Sequence, residues 1–154
     1  MELDRQLQIL IDDATKHGIS PLVIERAIAP VLSLFAQQLK HLEYYILQNL
    51  DEQWVIFTIS DRQQIKSDQK VIYAFPTLKD AADFQVNKDP NILAVALPVT
   101  HILFQLLSLK PLDSIVFLEQ PGNLNNGTRI ERDKLESLIQ QQIQNLNNVP
   151  DNLA

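Results

Sequence analysis

The side chains able to do chemistry in this chain are few, and their spacing decides most of what they can do. There are three histidines, His17, His41 and His101, and no cysteine. Without cysteine, disulfides, thiolate nucleophiles, cysteine-bound zinc and iron–sulfur clusters are excluded. A histidine metal site would need two rings at a short helical spacing, or a carboxylate pair close by. Here successive histidines stand 24 and 60 positions apart. His17 and His41 each close a predicted helix, where an imidazolium complements the dipole, and His101 opens an apolar helix as a half-buried residue. No metal and no cofactor is expected.

The candidate nucleophiles are serines, among them Ser20, Ser60, Ser108 and Ser114. None lies in a Gly-x-Ser-x-Gly elbow. The glycines, Gly18, Gly122 and Gly127, form neither a dinucleotide fingerprint nor a P-loop. Ser60-Asp61 falls at a strand end, a common place for active sites and equally for ordinary turn residues. Asp12-Asp13, Asp51-Glu52 and Glu131 with Asp133 read as surface charge, since adjacent acids on a helix point to different faces. One loop has the form of an anion cradle. Pro121-Gly122-Asn123 and Asn126-Gly127-Thr128 connect a strand to a predicted helix N-terminus, where free amides gather. Pro121, Gly122, Asn123 and Thr128 are therefore the candidate ligand-binding residues. The missing lysine and the negative charge of the chain favour a plain capped loop instead. No residue is assigned a catalytic role.

These residues must be positioned by the elements that hydrophobic periodicity predicts. Leu3, Leu7, Leu10, Ile11 and Ala14 recur at helical spacing, and Gly18 ends that helix. Ser20-Pro21 starts a second helix, whose apolar stripe runs to Leu39. Pro30 must kink or split it. From residue 43 the composition turns aromatic and β-branched. Residues 44–47, 54–59 and 71–75 read as three strands of a meander, the first two a hairpin around Asp51-Glu52-Gln53. Thr77 to Asp80 resembles a capping box for a short helix to about residue 86. Residues 92–97 form an apolar run, as expected of a strand buried on both faces. A Leu-rich helix from Pro98-Val99-Thr100 follows, then a buried strand at 115–118. Thr128-Arg129-Ile130-Glu131 is a full capping box and predicts the start of the last helix.

The expected fold is therefore α+β or α/β. Two N-terminal helices precede a three-strand meander, then helix–strand–helix–strand–helix, giving one mixed sheet of about five strands flanked by helices. The two late strands should be parallel, joined by a crossover. A single domain over 1–154 is expected, with a helical part at 1–42, an α/β part at 43–146 and a frayed tail at 147–154.

Composition bounds the function classes. The 154 residues are 45% hydrophobic, enough to fold as one domain, and the net charge is -6. An acidic chain repels phosphate backbones, so nucleic-acid binding is not expected. The polar start lacks the features of a signal peptide, and no apolar run is long enough to span a membrane. A cytoplasmic location follows as the expectation.

Residues 71–141 carry a series of phrases. Phe75-Pro76-Thr77 ends a strand, Ala81-Ala82-Asp83-Phe84 lies on a helix, and Ala96-Leu97-Pro98 ends an apolar strand. Leu112-Asp113-Ser114-Ile115-Val116 and Pro121-Gly122 follow. This half of the chain resembles the SseB family of bacterial proteins. Here Glu119-Gln120 precede Pro121, where that family shows an Asn-Pro-Gly type phrase. The resemblance implies an α/β module with a regulatory or interaction role and no defined chemistry. The leading expectation is a non-catalytic protein-interaction module with an unidentified protein partner and a possible homodimer. The alternative is a small ligand-binding domain or enzyme, with a pocket at the C-terminal ends of the later strands, lined by residues 97–100 and 120–128.

Overall fold

A computed structural model describes residues 2–59, 68–85, 89–123 and 126–147. The chain opens with α1 (Leu3–Asp12) and a 3-10 turn, Ala14–His17. Gly18 then takes the left-handed conformation, φ 69°, and releases the chain. Pro21 starts α2 (Pro21–Val23), which runs through a π-helical turn, Ile24–Ile28, into α3 (Ala29–Gln37). Pro30 is therefore absorbed by a widened turn, because it has no N–H to place in a regular one.

The remaining elements are β1 (Glu43–Asn49), β2 (Phe57–Ile59), β3 (Gln69–Phe75), α4 (Leu78–Phe84), β4 (Ile92–Pro98), α5 (Val99–Ser108), β5 (Ser114–Leu118), β6 (Gly127–Glu131) and α6 (Arg132–Asn147). They make one open mixed sheet of six strands in the order β4-β1-β3-β5-β6, with β2 beside β3. Only β3 and β5 are parallel neighbours. Helices α1, α2, α3, α5 and α6 cover one face, over Tyr44, Ile46, Ile72, Ile115 and Phe117. The short α4 covers the other, over Leu47, Phe75 and Leu118. There Phe84 meets Phe57, Tyr73 and Phe75 with ring centroids 5.1 to 5.2 Å apart. Each large apolar side chain buried in these layers contributes about 1.5–3 kcal/mol of transfer free energy.

The expected mixed sheet flanked by helices is the observed architecture, with four local differences. The meander is only partial. β1 pairs directly with β3 at Tyr45 and Phe75, and β2 takes the other half of the same β3 edge, at Val71. Asn49 organises the turn between β1 and β2, its side-chain oxygen accepting from the Asp51 and Gln53 amides.

Next, the apolar run Ile92–Pro98 is not buried on both faces. Among the described residues it is an edge strand paired to β1 alone, and Leu93 is 49% exposed. β4 and β5 do run in the same direction, but β1 and β3 lie between them.

Last, Thr128-Arg129-Ile130-Glu131 does not cap a helix. It forms β6, antiparallel to β5 over five residue pairs, and α6 begins at Arg132. A capping box is worth about 1 kcal/mol. Here a five-residue ladder and the burial of Ile130 in the core outweigh it. No segment among the described residues is long and apolar enough, as a helix, to cross a membrane.

Candidate functional site

The helical layer carries a cavity of about 730 Å³, where α1, α2, α5 and α6 converge. That size suits a drug-sized ligand or a few partner side chains. Its walls are mainly apolar, with Leu10, Val23, Phe104, Leu107, Ile139 and Ile143 among them. The amphipathic periods predicted for α1 and α5 place these residues here. A smaller, more open depression of about 420 Å³ lies between α3 and α6, beside Phe35 and Leu138.

Two of the three histidines, 84 positions apart in sequence, meet at this cavity. His17 packs edge-on against Phe104, ring centroids 5.3 Å apart. The His101 Nε2–H donates to the Gln6 carbonyl at 3.3 Å. Burial holds the His101 ring below the ordinary imidazole value, and nearby His17 adds a smaller push in the same direction. Behind His101 stands a buried polar knot. The Gln6 Oε1 accepts from the Thr100 amide at 3.1 Å and from the Thr100 hydroxyl at 2.9 Å. The Gln6 Nε2 donates to the Leu42 carbonyl at 2.9 Å. Thr100 lies in the first turn of α5, where amides lack helical partners, so a glutamine of α1 caps α5. At the other end of the cavity Arg132 pairs with Glu136 at 2.7 Å and donates to the Leu107 carbonyl at 2.7 Å, closing the C-terminus of α5.

A second constellation sits just past the C-terminal end of β5. The Glu119 Oε2 accepts from the Tyr44 hydroxyl at 3.0 Å and from the Lys40 amide at 3.0 Å. The His41 Nε2–H donates to the Glu119 carbonyl at 2.9 Å. Glu119 is 8% exposed. Its Oε1 is buried and, among the described residues, has no hydrogen-bond partner. Burial, followed by the charge of Glu119, pushes the Tyr44 phenol far above its ordinary value. The third histidine thus belongs to this cluster and not to the cavity.

Three of the four predicted ligand residues follow Glu119 closely in sequence, and Thr128 lies nine positions on. Gly122 has φ 77° and donates its amide to Asp80 Oδ1 at 2.9 Å. The Asn123 amide donates to the Gln120 carbonyl at 3.1 Å. Pro121 occupies the same turn, and Thr128 lies on β6 opposite Phe117. The Gly122 amide of the expected cradle is therefore taken by the protein's own carboxylate. Asp80 also accepts from the Thr77 hydroxyl at 2.8 Å, and the Thr77 oxygen accepts from the Asp80 amide at 3.1 Å. Thr77 caps α4 as the predicted box requires, but the Asp80 carboxylate turns to the Thr77 hydroxyl and the Gly122 amide, making a clamp between α4 and the loop after β5. Ser60 and Asp61 lie outside the described residues.

Among the described residues, no group of three His, Asp or Glu could hold a metal ion. Residue type alone hid both constellations. Neither Gln6 nor Glu119 stands out by type, because the partners that bury them are 94 and 75 positions away. No protein-family model matches this chain, and no curated protein does.

Proposed function

We propose that this protein is a non-catalytic, cytoplasmic interaction module that receives an amphipathic helix of a partner protein in the cavity of its helical layer. The observation that carries this reading is the apolar wall shared by α1, α2, α5 and α6, about 730 Å³ in volume. An amphipathic helix fills such a site with anchors at i, i+3 or i+4, and i+7. The net charge of -6 favours a partner whose flanking residues are basic, because the field of the whole protein steers cations. The SseB-like phrases over residues 71–141, which imply an interaction role, point the same way.

The test is selection from a displayed library of helical peptides against the purified chain. The expected winners carry Leu, Ile or Phe at helical spacing beside Lys or Arg, and lose binding to Phe104→Glu. Peptides without that pattern, or peptides that bind Phe104→Glu equally well, would refute the proposal.

One observation favours a second reading, a small-ligand site at the end of β5. A buried carboxylate oxygen without a partner among the described residues, on Glu119, invites a donor such as an amine, and the loop that carries Pro121, Gly122 and Asn123 follows it in sequence. In this reading a thermal-shift screen of small amines finds hits that Glu119→Gln abolishes. Hits indifferent to that substitution, or none, dismiss it.

A further inference from the structure

The two edges of the sheet are unlike. The β6 edge reads Gly-Thr-Arg-Ile-Glu, and its charges Arg129 and Glu131 guard it. The β4 edge reads Ile-Leu-Ala-Val-Ala-Leu-Pro, with no charge in seven residues. A long, straight, apolar edge is what proteins ordinarily avoid, because its free backbone groups template another strand.

Which groups are free follows from the ladder on the inner side. The Val99 amide donates to the Leu42 carbonyl at 2.9 Å, so Val99 faces β1. Backbone direction alternates along an antiparallel strand, and so Leu97, Val95 and Leu93 also bond inward. The Val55 amide donates to the Leu47 carbonyl, which places the odd residues of β1 toward β2 and β3 and the even ones toward β4, in agreement. Ile92, Ala94, Ala96 and Pro98 therefore point their backbone groups outward. Two of these have no N–H to offer. Pro98 lacks one, and the Ile92 amide is used by the Asp89 carbonyl at 3.1 Å. No hydrogen bond among the described residues engages the amides of Ala94 or Ala96, and Ala96 is exposed.

We propose that β4 pairs antiparallel with β4 of a second copy of this chain, joining the two sheets across a two-fold axis at Val95. In that register Ala94 faces Ala96 of the second copy, and the reverse, so the free amides and their carbonyls satisfy one another in four hydrogen bonds. Ile92 faces Pro98, and the ladder ends where the donors end. On the helical side Leu93 meets Leu97 and Val95 meets its own copy, so the half-exposed Leu93 is covered by an apolar neighbour. A second copy fits where a charged partner strand would not, because every cross-strand pair is apolar and no like charges meet within the strand, despite a net charge of -6 per chain.

The experiment combines light scattering on the intact chain with hydrogen exchange. The expected mass is twice 17.6 kDa, falling to 17.6 kDa on dilution. Slow exchange is expected at the Ala94 and Ala96 amides in the dimer and fast exchange in the monomer. Ala96→Pro removes only an outward N–H, so the inner ladder survives and the dimer is lost. Val95→Lys sets two like charges at the axis and provides the same outcome if Ala96→Pro fails to fold. The proposal is overturned by a chain that stays monomeric at the highest soluble concentration. A dimer in which these two amides exchange freely, or one that folded Ala96→Pro and Val95→Lys leave intact, overturns it equally.

Discussion

Replacing Gln6 by alanine should destabilise the protein far more than an ordinary change on the first helix. Gln6 is 1% exposed and Thr100 is fully buried. The substitution strips an acceptor from the Thr100 amide, an acceptor from the Thr100 hydroxyl and a donor from the Leu42 carbonyl. A buried polar group left without a partner costs about 1–3 kcal/mol. The hydroxyl can rotate toward another acceptor and water can reach some groups, which brings the sum to about 3 kcal/mol. For a domain of this size each kcal/mol moves the melting temperature by about 2–4 °C, so a fall of about 6–12 °C is expected. The assay is thermal and urea unfolding of Gln6→Ala, Thr100→Val and the double variant. The two sites share their bonds, so the double variant should fall short of the sum of the singles by about 1 kcal/mol or more. A cost below about 0.5 kcal/mol for Gln6→Ala, the range of an indifferent surface change, would refute the capping role of this glutamine. So would strict additivity.

Other perturbations have equally definite outcomes. Gly127→Ala places a methyl 2.7 Å from the Val116 side chain on the neighbouring strand, and should cost about 1–3 kcal/mol by overpacking, read from the urea midpoint. Asp80→Ala removes the clamp between α4 and the Gly122 loop. It should lower stability by about 1–2 kcal/mol and speed hydrogen exchange at the Gly122 amide. His101 is held neutral in the fold, so its contribution is complete above its ordinary value of 6.5 and is lost as pH falls below it. His101→Gln should flatten that acid limb of the stability profile. Tyr44 is the opposite case. Its raised folded value means full stability below its ordinary value of 10.0 and a progressive loss above it. Ultraviolet titration should show one of the three tyrosines ionising only when the chain unfolds.

The parts of the fold legible in the sequence were those set by local rules. Gly18, Pro21 and Thr77 act at the helix ends where their backbone and side-chain chemistry put them, and the apolar stripes of α1 and α5 face inward as their periods require. What was not legible depended on neighbours. The run Ile92–Pro98 reads as a central strand, because hydrophobicity reports an absence of charge and not the number of partners. The stretch Gly127–Glu131 carried two local signals at once. Its Thr, Arg, Ile and Glu spell a capping box and also alternate with period two. Pairing with β5 selected the second. The site constellations were the least legible. His17 with His101, and Glu119 with Tyr44 and His41, become neighbours only through sheet order, which no spacing rule encodes.

The Gln6–Thr100 bond also sets a schedule for the growing chain. Its two ends are 94 residues apart. Synthesis proceeds at about 5–20 residues per second, so about 5–20 s separate the emergence of α1 from that of the helix it caps. Until then Gln6 has no threonine to bind and the leucines of α1 lack one wall of their packing. Completion of the helical layer is thus deferred until α5 has emerged, and a chain released before residue 100 leaves the ribosome with that layer unsealed.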